Sequence, residues 1–193
     1  MSQRSTEKGS SDSSRLYKKN IVQLGIVVED VEYAARRYWE LFGVGPWIIA
    51  EVKDPDIADF IIDDKPMGDI EHHSKIAVAD FNNIQFELIQ PISGQGSHSD
   101  FLKRHGGGVH HVSFGTVEEY DEILADLQKK GVGIEMSGSL YGVRRFTYMN
   151  TRNDLGVLFE WLKAKPGSKP GEGVKIIGIY PPREEGNGSP EAV

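Results

Sequence analysis

Four polar side chains carry the chemistry open to this sequence. Gln23, Glu87, His111 and Glu160 bring together an amide oxygen, two carboxylates and an imidazole, a donor set suited to one divalent cation. An internal repeat relates them. The stretch from Val22-Gln23-Leu24-Gly25 to Gly43-Val44-Gly45 aligns without a gap on the stretch from His110-His111-Val112 to Gly131-Val132-Gly133, with Gln23 falling on His111. Further along, Ile84-Gln85-Phe86-Glu87-Leu88 matches Val157-Leu158-Phe159-Glu160-Trp161, and Glu87 falls on Glu160. A repeated strand needs only its apolar face repeated; when the polar residue repeats too, the two copies address a common centre.

Strand phase decides whether the four can meet. Successive strand residues point to opposite faces, so Gln23 shares a side with Gly25, opposite Val22, Leu24, Ile26 and Val28. His111 shares its side with Ser113 and Gly115, opposite Val112 and Phe114. Glu87 lies between Phe86 and Leu88, and Glu160 between Phe159 and Trp161. All four therefore fall on the face that the helices leave open. His110 is in phase with Val112 and reads as structural. His72, His73, His98 and His105 have no repeat partner; His73 is placed near the open face and His105 at a helix end.

The elements that must hold these residues follow from periodicity and end signals. A strand over residues 21–28 leads to Asp30, a helix cap. Val31, Ala34, Ala35, Tyr38, Leu41 and Phe42 then keep helical spacing until Gly43 stops it. Strands follow at 47–52, 75–79 and 84–90, with an irregular acidic segment over 53–71 between the first two. That segment is read as a lid or as a cover over a sheet edge. A short helix over 100–105 stops at Gly106-Gly107-Gly108. In the second copy, a strand over 109–114 precedes Thr116-Val117-Glu118-Glu119, a capping-box signature for a helix reaching Lys130. Strands near 134–136, 145–149 and 157–162 complete it. Each copy reads strand–helix–strand–strand–strand. The expected fold class is thus α+β: two tandem βαβββ modules, residues 20–92 and 108–163, forming a concave mixed sheet around one central metal cleft. Residues 1–19 read as a disordered tail, and 164–193 as a C-terminal extension.

Composition narrows the function classes. The chain has 193 residues, a net charge of −7 and no cysteine. An acidic body offers no attraction to nucleic acid or to an anionic membrane. Lack of cysteine removes disulfides, zinc-thiolate sites and thiol catalysis. No apolar run approaches a membrane span and the N-terminus has no apolar signal core, so the expected location is the cytoplasm.

The pieces Gln23 to Val31, Phe86-Glu87-Leu88-Ile89-Gln90-Pro91, Phe101-Leu102 through Gly107-Gly108-Val109-His110-His111-Val112, and Gly156-Val157-Leu158-Phe159-Glu160 resemble the vicinal oxygen chelate superfamily. This is the glyoxalase/bleomycin-resistance/dioxygenase group, and within it the look is nearest to the methylmalonyl-CoA epimerases. The resemblance implies a metal held by Gln23, Glu87, His111 and Glu160, the ion being Co, Mn, Ni, Mg or Zn. It also implies an epimerase or isomerase that removes a proton next to a carbonyl, with Glu160 as base. Gln23 departs from the epimerases, which usually carry His there. The set Gln, Glu, His, Glu is that of some glyoxalase I enzymes, so a lactoylglutathione lyase is the first alternative, and an extradiol-type dioxygenase or a metal-free small-molecule-binding protein the weaker one. A dioxygenase needs two His and one carboxylate, a triad that Gln23 breaks, and metal-free drug-binding relatives usually lack these ligands altogether. Epimerases place a second carboxylate on the third strand of the first module. Here that strand holds none, and Lys75 or His73 stands as the nearest acid/base candidate. Trp47, Phe60, Tyr141, Arg144 and Arg145 are the candidate contacts for a small carbonyl substrate, acyl-CoA among them. The apolar run Val174–Tyr180 should add to a sheet edge of its own chain or cover a partner in a homodimer.

Overall fold

The first strand, β1 (Gln23–Val27), carries Leu24 and Ile26 against the helix α1 (Val31–Phe42). Asp30 accepts from the amides of Glu32 and Tyr33 at 3.0 and 2.9 Å, satisfying two of the helix's free donors. Gly43, left-handed at φ 68°, ends it. β2 (Trp47–Lys53), β5 (His72–Phe81) and β6 (Ile84–Gly94) complete the first module. The second module has the same plan: β7 (Gly108–Thr116), α3 (Tyr120–Lys129), β8 (Ile134–Leu140), β9 (Arg144–Met149) and β10 (Leu158–Ala164). The short α4 (Arg152–Leu155) interrupts the second plan, and α2 (Ser97–His105) links the modules. The computed structural model describes residues 20–169 and 171–182; the expected tail over 1–19 lies outside them.

Two segments that sequence leaves irregular extend the sheet. Residues 53–71 form a hairpin, β3 (Ile57–Ile62) and β4 (Lys65–Gly68), whose first strand pairs with β8. The C-terminal run forms β11 (Lys175–Tyr180), antiparallel to β2 of the same chain. The order is β11-β2-β5-β6-β1-β7-β10-β9-β8-β3-β4. Both module edges are therefore covered from within the chain, which limits exposed backbone donors and acceptors. The edge-cover reading of 53–71 holds. The own-chain reading of the C-terminal run also holds, and it removes the reason the sequence itself offers for a partner at that edge.

The core lies in three main parts. Val31, Ala35 and Trp47 pack with Ile49, Ala77 and Leu88 beneath α1. Tyr120 and Ile123 of α3 pack on Met149, Phe159 and Trp161. The third cluster sits inside the curl, where Val52 of β2 and Ile57 and Phe60 of β3 meet Met136, Phe146, Tyr148 and Leu158. Strands far apart in the sheet order touch there, so the sheet curls on itself.

Three expectations need correction. The capping box is not used: Thr116 is the last residue of β7, and α3 begins at Tyr120 with no side-chain cap bond. Trp47 is no substrate contact. It is fully buried under α1 with its ring 5.8 Å from Tyr38, because the β2 phase that puts Val52 inside the curl puts Trp47 on the helix side. Phe60 is likewise fully buried, packed 5.9 Å from the His72 ring. Trp47→Ala should accordingly cost about 3–5 kcal/mol, the range for a large aromatic removed from a core. Urea unfolding measures this, and cation binding by the folded variant should be unchanged.

Candidate metal centre

The register of the two modules against one another assembles the site. β1 and β7 run antiparallel with Gly25 opposite His111. β6 is parallel to β1 and places Glu87 beside Gly25, while β10 is parallel to β7 and places Glu160 beside Ser113. Ser113 is the repeat equivalent of Gly25, so the pairing itself is duplicated. The missing side chain at Gly25 has a purpose: a Cβ there would lie 2.0 Å from Cε1 of His111. The imidazole occupies the space that the first copy leaves empty.

His111 is fully buried, and its Nε2 lies 3.5 Å from Oε2 of Glu87 and 3.8 Å from Oε2 of Glu160. Ligand atoms about 2.1 Å from one ion stand roughly 3–4 Å from one another, and His111 Nε2 stands at that spacing from each carboxylate, although the two carboxylates are not as close to one another as each is to the ring. Among the described residues, His111 Nε2 and Glu160 Oε2 are buried with no hydrogen-bond partner, a costly state for polar atoms unless a further group satisfies them. Gln23 lines the same cavity as Glu87 and Glu160. Its amide Nε2 donates to Gln85 Oε1 at 2.8 Å, and Gln85 in turn donates to Asp80 at 3.2 Å. The oxygen is thus the end of Gln23 left uncommitted, which is the end a cation takes. By donor type the four residues suit a divalent ion.

Electrostatics agree with a site built for a positive charge. Burial raises the Glu160 carboxyl, while His111, Ser113 and Tyr148 act to lower it, the last two by hydrogen bonds. Burial alone would push His111 down, but the carboxylates of Glu160 and Glu87 hold it above its ordinary value. Tyr148 is pushed well up by burial and by Glu160, so it stays a neutral donor. Without a cation, a proton on His111 Nε2 supplies the charge that two neighbouring carboxylates require.

The cavity holds about 720 Å³, its open mouth included, and is largely apolar, with Val52, Ile57, Ile76, Ile89, Met136 and Phe146 in its walls. Arg144 lines it and, with Gln23 and Leu162, also lines a neighbouring cavity. Arg145, one residue on, has the opposite phase and bonds Ser137 Oγ at 3.1 Å and faces Asp59 at 4.0 Å. Tyr141 packs against Gly173 of the C-terminal extension, outside the cavity lining. Lys75 and His73 also point away: Lys75 pairs with Glu32 of α1 at 2.9 Å and His73 with Glu51 at 3.0 Å. The β5 residues that face inward are His72, Ser74 and Ile76. Sequence reading misplaced this strand because Ala77 and Ala79, which mark its helix side, are too small to declare a face. Two residues without repeat partners, His72 and His98, are the additions of the tertiary fold. His98 comes from α2, lines the cavity, and is buried with Nε2 lacking a partner among the described residues. His98, His110 and His111 also have nitrogens within 4.8 Å of one another.

The chain belongs to the Glyoxalase/Bleomycin resistance protein/Dioxygenase superfamily, whose family model matches residues 22–148. No curated protein matches the sequence. Among solved structures it is similar to a hypothetical protein from Bacillus halodurans C-125, at 18% identity and TM-score 0.58, covering 79% of this chain and 99% of that one. It is similar to a Streptomyces coelicolor methylmalonyl-CoA epimerase in complex with 2-nitronate-propionyl-CoA, at 21% identity and TM-score 0.55, with 79% and 99% covered. A methylmalonyl-CoA epimerase from Mycobacterium tuberculosis follows at 19% and 0.52, with 76% and 88% covered. These likenesses establish the fold.

The buried histidines give a pH signature. Burial lowers His72, His98 and His110, the last two strongly. A group whose folded pKa lies below its unfolded value of about 6.5 leaves the unfolded chain binding more protons as pH falls, so stability is lost through and below that value. The melting temperature of cation-free protein should fall as pH is lowered from about 7 to 5, each histidine contributing at most about 1.4 kcal/mol per pH unit. His98→Gln should flatten this slope. Gly25→Ala, by contrast, should displace the His111 ring and weaken divalent-cation binding at any pH.

Proposed function

We propose that the protein is a metal-dependent isomerase, of epimerase type, that removes a proton next to a substrate carbonyl. The observation that carries this is the cluster of His111 Nε2, Glu87 Oε2 and Glu160 Oε2 at 3.5 and 3.8 Å, in a largely apolar cavity open to small molecules. A divalent cation held by Gln23, Glu87, His111 and Glu160 would supply Lewis-acid polarisation of the carbonyl, which acidifies the neighbouring C–H. Co, Mn, Ni, Mg and Zn all suit such a donor set.

Glu160 is the base. Its carboxyl is buried, raised by that burial, and held by Ser113 and Tyr148, so it can take a proton from carbon and return it. Epimerisation needs a second group on the other face of the carbon. With Lys75 and His73 turned outward, His72 is our candidate: it lines the cavity from the other module, is held neutral by burial, and has Ser74 Oγ at 3.3 Å from its Nε2. Arg144, which lines the cavity, would anchor an anionic group of the substrate. An acyl thioester such as an acyl-CoA is the substrate class we favour, since the S. coelicolor neighbour is in complex with one. A cytoplasmic location, on the cysteine-free composition, and a homodimer complete the proposal. The exposed side chains Trp39, Leu41 and Phe42 on α1 offer an apolar surface for the latter, and a monomer by light scattering at micromolar concentration removes it. No described helix is long and apolar enough to cross a membrane.

Glu160→Gln should keep the fold and reduce solvent-deuterium wash-in, assayed on a panel of acyl-CoAs and ketones, by about 10²–10⁴-fold. Exchange at the wild-type rate removes Glu160 as the base. His72→Gln should slow epimerisation while leaving exchange from one face of the substrate.

Two observations favour other readings. Gln23 at the first ligand position suits a glyoxalase I-type lyase, for which thioester formation from methylglyoxal and glutathione is the test. His98, brought to the cavity by α2, supplies the second imidazole whose lack in the repeat argued against oxygen activation. Oxygen uptake with a catechol and Fe(II) would decide for a dioxygenase.

A further inference from the structure

His111 is held from behind by a chain of three side chains that runs from the cleft to a different cavity. Its Nδ1 lies 3.1 Å from Nδ1 of His110. His110 Nε2 lies 2.7 Å from Ser97 Oγ, and Ser97 Oγ donates to Glu135 Oε1 in a short hydrogen bond. Ser97 and Glu135 line a second, polar cavity. His110 is fully buried, and its ring nitrogens face the Ser97 hydroxyl and the His111 ring, not a carboxylate, so it carries one proton and offers one lone pair.

The far end sets the direction of the whole chain. A carboxylate only accepts, so the Ser97 hydroxyl proton is spent on Glu135. Ser97 Oγ must then accept from His110, which puts the His110 proton on Nε2. The His110 Nδ1 lone pair is left to accept from His111, which puts a proton on His111 Nδ1. In the neutral His111 ring, only Nε2 then has a free lone pair, and Nε2 is the atom that faces Glu87 and Glu160. Gln23 has the same arrangement in the other module: Asp80 accepts from Gln85 and Gln85 accepts from Gln23, leaving the Gln23 oxygen free. Each of the two neutral ligands is oriented by a one-way chain that ends on a carboxylate.

We propose that Glu135, Ser97 and His110 are positioning residues that hold His111 as the Nδ1–H tautomer, so that Nε2 is always the atom offered to a cation. The inference rests on the metal-centre reading of Gln23, Glu87, His111 and Glu160. It concerns groups that meet no substrate, and it gives His110, read from the sequence as merely structural, a task in the site. Outer partners of metal ligands commonly matter by 10–100-fold in affinity, because they fix ring orientation and tautomer.

The test reads tautomer and affinity separately in the full chain. Long-range ¹⁵N–¹H spectra of the metal-free protein near neutral pH should show His110 protonated at Nε2 only. On addition of Zn²⁺ alone, the large ¹⁵N shift should occur at His111 Nε2, with His111 Nδ1 still protonated. Ser97→Ala should give a mixed His110 tautomer and weaken Zn²⁺ binding by about 10–100-fold. Ser97→Thr, which keeps a hydroxyl, should restore both, and Glu135→Gln should act like Ser97→Ala without touching the core. Gln85→Leu should weaken Zn²⁺ while leaving the His110 spectrum unchanged. His110 protonated at Nδ1 in the wild type overturns the chain. So does a zinc-induced shift at His110 Nδ1, which makes His110 a ligand, or Ser97→Ala binding Zn²⁺ with wild-type affinity. If the wild type binds no divalent ion while His110 is protonated at Nε2, the metal-centre reading fails and the chain stands as the acceptor that fixes a proton on His111 Nδ1.

Discussion

The pairing of β1 with β7 is the constraint on which the rest of this molecule depends. The two modules meet there, edge to edge and antiparallel, with Gly25 opposite His111. The imidazole lies over the glycine so closely that no Cβ fits. That contact sets the relative register of the two copies, and register in a strand pair is an all-or-none property: a one-residue slip turns every side chain to the other face. With this pair in place, the parallel partners β6 and β10 bring Glu87 and Glu160 to the same spot from opposite sides. Duplication of a ligand-bearing strand thereby becomes one centre instead of two half-sites.

A buried imidazole between two carboxylates would be expensive if nothing balanced it. The surroundings share that cost. Ser113 and Tyr148 act to hold Glu160 ionised, and His111 answers the negative charge through Nε2. The wall beyond is apolar, with Met136, Phe146 and Leu158 in one cluster with Val52 and Ile57. Low polarity there strengthens each remaining electrostatic contact.

Closure of the sheet uses segments outside the repeat. β3 and β4 extend the second module at β8, and β11 extends the first at β2. Because β3 follows directly from β2 in sequence but pairs with β8, the chain itself crosses between the two rims of the curl. Ile57 lies in the cavity wall and Phe60 in the cluster behind it. The insertion that covers an edge thus also narrows the cleft, and it joins the two modules at the rim as β1 and β7 join them at the centre.

The repeat, the phase of Gln23, Glu87, His111 and Glu160, the helix caps at Asp30 and Gly43 and the superfamily were all legible in the sequence. They depend on local periodicity and on comparison of one stretch with another, and both survive without coordinates. The directions of Lys75 and His73 were not legible. Small alanines at Ala77 and Ala79 hide which face of β5 meets α1, and the irregularity between His73 and Ser74 obscures the phase there. Trp47 looked available because an aromatic at a strand start fits a rim as well as a core; only the packing of Tyr38 and Leu88 around it decides. His98, His72 and the Glu135–Ser97–His110 chain are wholly tertiary. They sit outside the duplicated pattern, on elements brought to the site by sheet curvature and by the placement of α2, and sequence carries no signal for a hydrogen bond between residues such as Ser97 and Glu135 that share neither helix nor strand. Sequence determined which polar side chains share the open face, because strand alternation is a local rule. The tertiary structure decided which groups stand behind those side chains and orient them, because that depends on how distant elements pack.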